Sequence, residues 1–135
     1  MAKISSKSGL AIALSGLEGF YEPKVRQEQY LIDSEIGASV IWNAYLLGDI
    51  EGKEIADLGC GTGLLGIGAL LLGAKEAIFV DSDENALKAA KKNISKMKSE
   101  GYSIGKAEII CSDIKDLKRM AEVVLQNPPF GTKVR

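Results

Sequence analysis

An open α/β sheet of parallel strands is the fold this chain predicts, on three observations. From residue 33 onward, short apolar runs alternate with stretches whose apolar residues recur every three or four positions, the pattern of consecutive βα units. The first strand-to-helix turn is rich in glycine, Asp57-Leu58-Gly59-Cys60-Gly61-Thr62-Gly63, and the second strand ends in an acid, Asp81. Right-handed crossovers between such strands give the order 3-2-1-4, with a ligand crevice where the order reverses, between the first and fourth strands.

Residues 1–32 read as an N-terminal extension in which Ser5 to Gly9 form a frayed terminus. Asp33 or Ser34 can cap a helix whose apolar residues Ile36, Val40, Ile41, Ala44 and Leu47 recur at helical spacing, with Gly48 as its stop signal. Glu54 to Leu58 is then a short strand, Gly63 to Leu72 a buried helix and Ala77 to Asp81 the second strand. Leu87, Ala90, Ile94 and Met97 make one side of an amphipathic helix, opposite Lys88, Lys91, Lys92 and Lys98. Ala107 to Cys111 is the third strand, and a short helix is expected around Lys115 to Met120. Glu122 to Gln126, the fourth strand, runs straight into Asn127-Pro128-Pro129-Phe130.

A chain of 135 residues with 46% hydrophobic and 26% charged residues is one domain able to bury a core. Its net charge of -1 supplies no global field for a polyanion, so any nucleic-acid contact needs a local patch. The lysines of the amphipathic helix could meet RNA phosphates, but a charged face opposite an apolar stripe is more often simply solvated. The longest apolar stretch, Leu64 to Ala74, is broken by Gly66, Gly68 and Gly73 and falls short of the ~20 residues that cross a bilayer. Without a secretory leader pattern either, a cytoplasmic, membrane-free protein is expected. There is no histidine, and Cys60 and Cys111 form no CxxC, so free thiols in packing roles, no bound metal and no imidazole base are expected.

Glycines at alternate positions behind an acid let backbone N–H groups approach a ligand that a Cβ would push away. The plain alternative is a turn needing positive φ. Asp81 can accept both hydroxyls of a ribose, although it could also cap the next helix, a role Asp83 fills better. Gly61 to Gly66 also spells GxGxxG, with Asp81 at the ~20-residue spacing of a dinucleotide site. The fourth strand's end separates the two cases. Asn127, Pro128, Pro129 and Phe130 set an amide, a fixed carbonyl and an aromatic face beside a nucleoside pocket, a set for which a dehydrogenase has no need. Alone, that motif could be a strand-ending turn with a core phenylalanine.

With these motifs the chain resembles the class I S-adenosylmethionine-dependent methyltransferases. Among them it is most similar to the NPPF-type adenine-N6 enzymes related to the eukaryotic small-subunit rRNA methyltransferase and its archaeal counterparts. The resemblance covers Gly19-Phe20, Glu22-Pro23-Lys24, Glu28-Gln29-Tyr30, Asp57 to Gly63, Val80-Asp81-Ser82-Asp83, Ser112-Asp113 and Asn127 to Lys133. It implies a Rossmann-like fold, S-adenosyl-L-methionine as cofactor and structured, ribosomal RNA as substrate. By resemblance, Gln29 and Tyr30 close over the methionine end, and Asp57 with Gly59, Cys60, Gly61, Thr62 and Gly63 holds the amino-acid moiety. Asp81 takes the ribose and Asp113 the adenine, with Ser82, Ile114 and Asn127 also lining the cofactor. Asn127, Pro128, Pro129 and Phe130 carry catalysis. The Asn127 side-chain oxygen and the Pro128 carbonyl accept the two N6–H bonds and localise the nitrogen lone pair, while Phe130 stacks on the flipped base.

The implied fold continues beyond its fourth strand, so residues 1–135 are expected to be a single, incomplete methyltransferase domain whose cofactor-binding core is 33–135. An open fourth strand would invite homo-oligomers. By resemblance to the eukaryotic relative, a small zinc-binding activator protein that completes a sheet edge is a further expected partner. Two other readings stay open. A protein glutamine N5 is equally planar, although such enzymes usually carry Tyr where Phe130 stands, and a non-catalytic module could bind S-adenosylmethionine or a dinucleotide.

Overall fold

The computed structural model describes residues 3–17 and 34–126. Four parallel strands, β1 (Glu54–Leu58), β2 (Glu76–Asp81), β3 (Lys106–Cys111) and β4 (Val123–Gln126), form one sheet in the order β3-β2-β1-β4. The order expected from right-handed crossovers is therefore the observed one. Helices α3 (Leu64–Leu71) and α4 (Glu84–Ser99) are the crossovers, while α1 (Lys7–Ser15) and α2 (Ser34–Leu46) precede the sheet and pack on α3. Covered strands need no alternation, and β2 is buried from Glu76 through Val80.

Leu58 pairs with both Val80 and Gln126, and Asp81 pairs with Cys111, so the carboxyl ends of all four strands finish level. Every loop that follows a strand is thereby delivered to one rim of the sheet. Beneath that rim the core closes around Phe79, Ile55, Ile67, Leu70, Ile41, Leu10, Leu14 and Met97, all fully buried. Each contributes about 1.5–3 kcal/mol by leaving water.

Three expectations change. Ser5 to Gly9 are not frayed, because the Ser6 side chain accepts the Gly9 N–H at 3.0 Å and caps α1. Leu10 and Leu14, four residues apart, then share one buried face, and the Lys96 Nζ donates to the carbonyl of Gly16 at the far end. Helix α2 turns Gly37, Ala38 and Ile41 inward, leaving Ile36, Val40 and Leu47 exposed. Its small residues sit close to α3, where a Cβ on Gly68 would stand 3.4 Å from Ile41. The helix expected around Lys115 to Met120 is only a 3-10 turn, Ile114–Asp116. Arg119 is drawn off to the start of the sheet, where it meets Glu76 at 3.1 Å and Glu108 at 2.9 Å.

Candidate functional site

The turn between β1 and α3 passes through the left-handed region three times, at Gly59 (φ 66°), Gly61 (φ 57°) and Gly63 (φ 91°). Only glycine adopts that sequence of angles without strain, so the motif is a backbone device. The Gly63 N–H closes the turn on the Cys60 carbonyl at 2.9 Å, and the Cys60 N–H reaches Val80 of the neighbouring strand at 2.9 Å. Asp81, at the end of β2, accepts the Gly61 N–H on one carboxylate oxygen and the Asp83 N–H on the other, both at 2.9 Å. It is thus a clamp on the loop, and each oxygen keeps a lone pair for a ligand hydroxyl. Asp83 caps α4 through the Asn85 N–H at 2.9 Å, leaving Asp81 free of that duty.

Asp57 is 1% exposed, and one of its oxygens accepts the Gly66 N–H at 2.9 Å. Burial raises its carboxyl from the ordinary 3.8 to about 7, against the pull of the Gly66 bond and with a smaller push from Asp81. Burial, with the charges of Asp57 and Asp81, also pushes the Cys60 thiol up, so this cysteine packs and does not act as a nucleophile. Cys111 is exposed, which corrects the packing role expected for it: it ends β3, which pairs only with β2 among the described residues, and its thiol reaches the Ser82 carbonyl at 3.8 Å.

Asp113 follows β3 on the same rim, where it accepts the Lys115 N–H at 3.1 Å; Ser82 and Ile114 are exposed beside it. The described residues therefore bring Asp57, Gly59 to Gly63, Asp81, Ser82, Asp113 and Ile114 to one rim of the sheet. Gln29, Tyr30, Asn127, Pro128, Pro129 and Phe130 lie outside the described residues. Sequence reasoning missed Asn93, whose side-chain amide donates to the Thr62 carbonyl at 2.9 Å. The signal available was a polar residue on the apolar stripe of α4, between Ala90 and Met97.

These groups fit the parts of a nucleoside carrying an amino acid. Among the described residues the Leu64 and Leu65 N–H groups at the start of α3 meet no acceptor, which suits a carboxylate. No atom of the described residues lies within 4 Å of where a Gly59 Cβ would stand, so the loop presents bare backbone to them there. Asp57 offers a buried oxygen to a cation, and Asp81 suits a diol.

A family model described as Ribosomal protein L11 methyltransferase (PrmA) matches residues 43–127. The rRNA N(6)-adenosine-methyltransferase METTL5 of Danio rerio is 34% identical over 92% of this chain and 60% of its own length. Ribosomal protein L11 methyltransferase of Mannheimia succiniciproducens is 40% identical over 58% of this chain and 26% of its own. Among solved structures, a Pyrococcus horikoshii protein, PH1948, assigned as an RNA methyltransferase, superposes with a TM-score of 0.82 at 45% identity, covering 96% of this chain and 60% of that one. This chain thus spans about 60% of the length of both the Danio rerio relative and the Pyrococcus horikoshii protein. The Rossmann-like fold and the resemblance to the rRNA adenine-N6 enzymes are borne out, and S-adenosylmethionine is the cofactor that this methyltransferase fold implies. The family match encloses the glycine loop, Asp81 and the whole parallel sheet, and on that extent the chain belongs to the methyltransferase family described as ribosomal protein L11 methyltransferase (PrmA).

Proposed function

We propose that this chain is the cofactor-binding part of an S-adenosylmethionine-dependent enzyme that methylates adenine N6 in ribosomal RNA. One observation carries the choice of acceptor: the relative matched over nine-tenths of the chain is an rRNA N6-adenosine methyltransferase, whereas the L11 enzyme matches little more than half. Asp57 would hold the cofactor's ammonium group, the glycine loop and the start of α3 its carboxylate, Asp81 its ribose and Asp113 its adenine. The cofactor supplies an electrophilic methyl group on a sulfonium. Asn127 and Pro128 would localise the N6 lone pair by accepting its two N–H bonds, with Pro129 fixing the turn and Phe130 stacking on the base. The methylated nitrogen is acidic and sheds its proton to solvent, so no histidine is needed.

Replacing Asp81 with asparagine is expected to raise the dissociation constant for S-adenosylhomocysteine about 30-fold by calorimetric titration, since a charge-assisted bond to a hydroxyl and the clamp on Gly61 are both weakened. Titration with NAD in parallel tests the dinucleotide alternative, and binding of NAD alone would overturn the methyltransferase reading.

The substrate is tested by transfer of labelled methyl groups to deproteinised ribosomal RNA, followed by nucleoside analysis. Label in N6-methyladenosine supports the proposal. The family description favours a second reading, in which the acceptor is a protein side-chain nitrogen, and label in ribosomal protein with none in RNA would establish it. A chain acting only as a binding module would keep its function with Asn127 changed to alanine.

The proposed partners include an activator protein or a second copy that adds to a sheet edge. β4 pairs only with β1 among the described residues, and its Val124 is 56% exposed. No helix among the described residues is long and apolar enough to cross a membrane. A cytoplasmic location belongs to the same proposal as the ribosomal substrate.

A further inference from the structure

The glycine loop takes little of its shape from its own side chains, the Cys60 thiol reaching the Gly61 carbonyl at 3.5 Å, because the conformations that admit a ligand belong to glycine. The peptide joining Thr62 to Gly63 is the sensitive one, since Gly63 on one side of it lets it turn unless both its ends are held. Its N–H is held by the Cys60 carbonyl at 2.9 Å. Its carbonyl accepts the Asn93 Nδ2 at 2.9 Å, from α4, 31 positions away in the chain.

Asn93 is 1% exposed and stands on the stripe formed by Ala86, Leu87, Ala90, Ile94 and Met97. An amide there is costly unless it is bonded, and the bond to Thr62 is one of the contacts that meet that need. The helix also abuts the loop directly, since a Cβ on Gly63 would stand 3.3 Å from the Ala90 Cβ and 3.3 Å from the Phe79 ring. Cys60 fixes one end of the peptide from within the loop, and Asn93 fixes the other from outside it.

We propose that Asn93 is a positioning residue for cofactor binding: it locks the Thr62–Gly63 peptide so that the N–H groups at the start of α3 face the ligand's amino-acid moiety. This rests on the reading of the loop as the S-adenosylmethionine site. The consequence is selective, because the ribose is held by Asp81 and the adenine by the rim beyond β3. A ligand without the amino-acid moiety should depend little on Asn93.

Asn93→Leu tests this, since leucine is close to asparagine in shape and favours the helix while removing the amide, the donor to Thr62 included. In the unliganded full chain, amide hydrogen exchange of Gly61 and Gly63 should accelerate about tenfold, with Ile94 and Met97 unchanged within about twofold. The dissociation constant for S-adenosylhomocysteine should rise about tenfold, and that for 5′-methylthioadenosine by less than about threefold. Asn93→Ala carries the same comparison should leucine not fit. Wild-type exchange at Gly61 and Gly63 would overturn the proposal, as would equal losses for both ligands or unchanged affinity for S-adenosylhomocysteine. If the wild-type chain binds neither ligand, the cofactor reading fails by itself. The exchange rates then still decide whether Asn93 locks the loop.

Discussion

Replacing Asp57 with asparagine is expected to make the unliganded chain more stable at pH 8 while weakening S-adenosylhomocysteine binding about 100-fold. The two effects share a cause. Burial lifts the carboxyl from 3.8 to about 7, so between those values the native chain keeps a proton that the unfolded chain has already released. The stability owed to this group is therefore full below 3.8, falls as pH rises toward 7, and stays lost above it. The whole effect is of order 4 kcal/mol at pH 8. Asparagine escapes it and can still accept the Gly66 N–H, but its own buried N–H groups need a partner, at about 1–3 kcal/mol. A net gain of about 2 kcal/mol, or roughly 5 °C in melting temperature, should appear at pH 8 and give way near pH 4 to a net loss of about 1–3 kcal/mol, where only the cost of the asparagine N–H groups remains.

Binding runs the other way, because a cationic ammonium group prefers the ionised carboxylate. Affinity of the wild-type chain should drop toward tenfold per pH unit below 7, and the asparagine variant should show a weak, pH-independent affinity. Calorimetric titration from pH 5.5 to 8.5 checks both curves. A wild-type affinity that is flat across that range would remove Asp57 from the ammonium site.

The second large effect is structural. Gly105, immediately before β3, has no room for a side chain: a Cβ would stand 2.4 Å from the Lys75 carbonyl oxygen and 2.6 Å from that of Ala74. Neither oxygen can retreat cheaply, since the Lys75 carbonyl accepts the Lys106 N–H at 3.1 Å and so begins the pairing of β3 with β2. Gly105→Ala is expected to cost about 3 kcal/mol, as overpacking against fixed backbone does. Thermal unfolding followed by circular dichroism should show a loss of about 10 °C. At Gly52, with φ 75° and nothing among the described residues within 4 Å of a built Cβ, alanine meets no such obstruction there. Only the backbone preference opposes it, about 1 kcal/mol.

The sheet was legible because each strand is short, apolar and bounded, and because parallel crossovers have one hand. The ends of β1 and β2 were legible because glycines and an acid mark them. Helix α2 could be found but not oriented: Ile36, Val40, Ile41 and Leu47 are all apolar, and only packing on Gly68 decides that Ile41 goes in and Ile36 stays out. Helix α1 was misread because serines and glycine suggest a loose end, whereas Ser6 is a cap whose worth depends on Leu10 and Leu14 finding α2 and α3. In the site, Asp81 was expected at a ribose, and its clamp on Gly61 is a tertiary bond that no local pattern announces. Asn93 was missed for the same reason, its partner being far away in the chain.

The bond between Lys96 and the Gly16 carbonyl joins residues 80 positions apart. Helix α1 can pack on α2 as soon as that helix has been made, but its contact with α3 and the lysine of α4 that ties down its end come later in the chain. The seating of α1 is therefore completed only after α4 has been made, a long-range closure of the kind that slows folding.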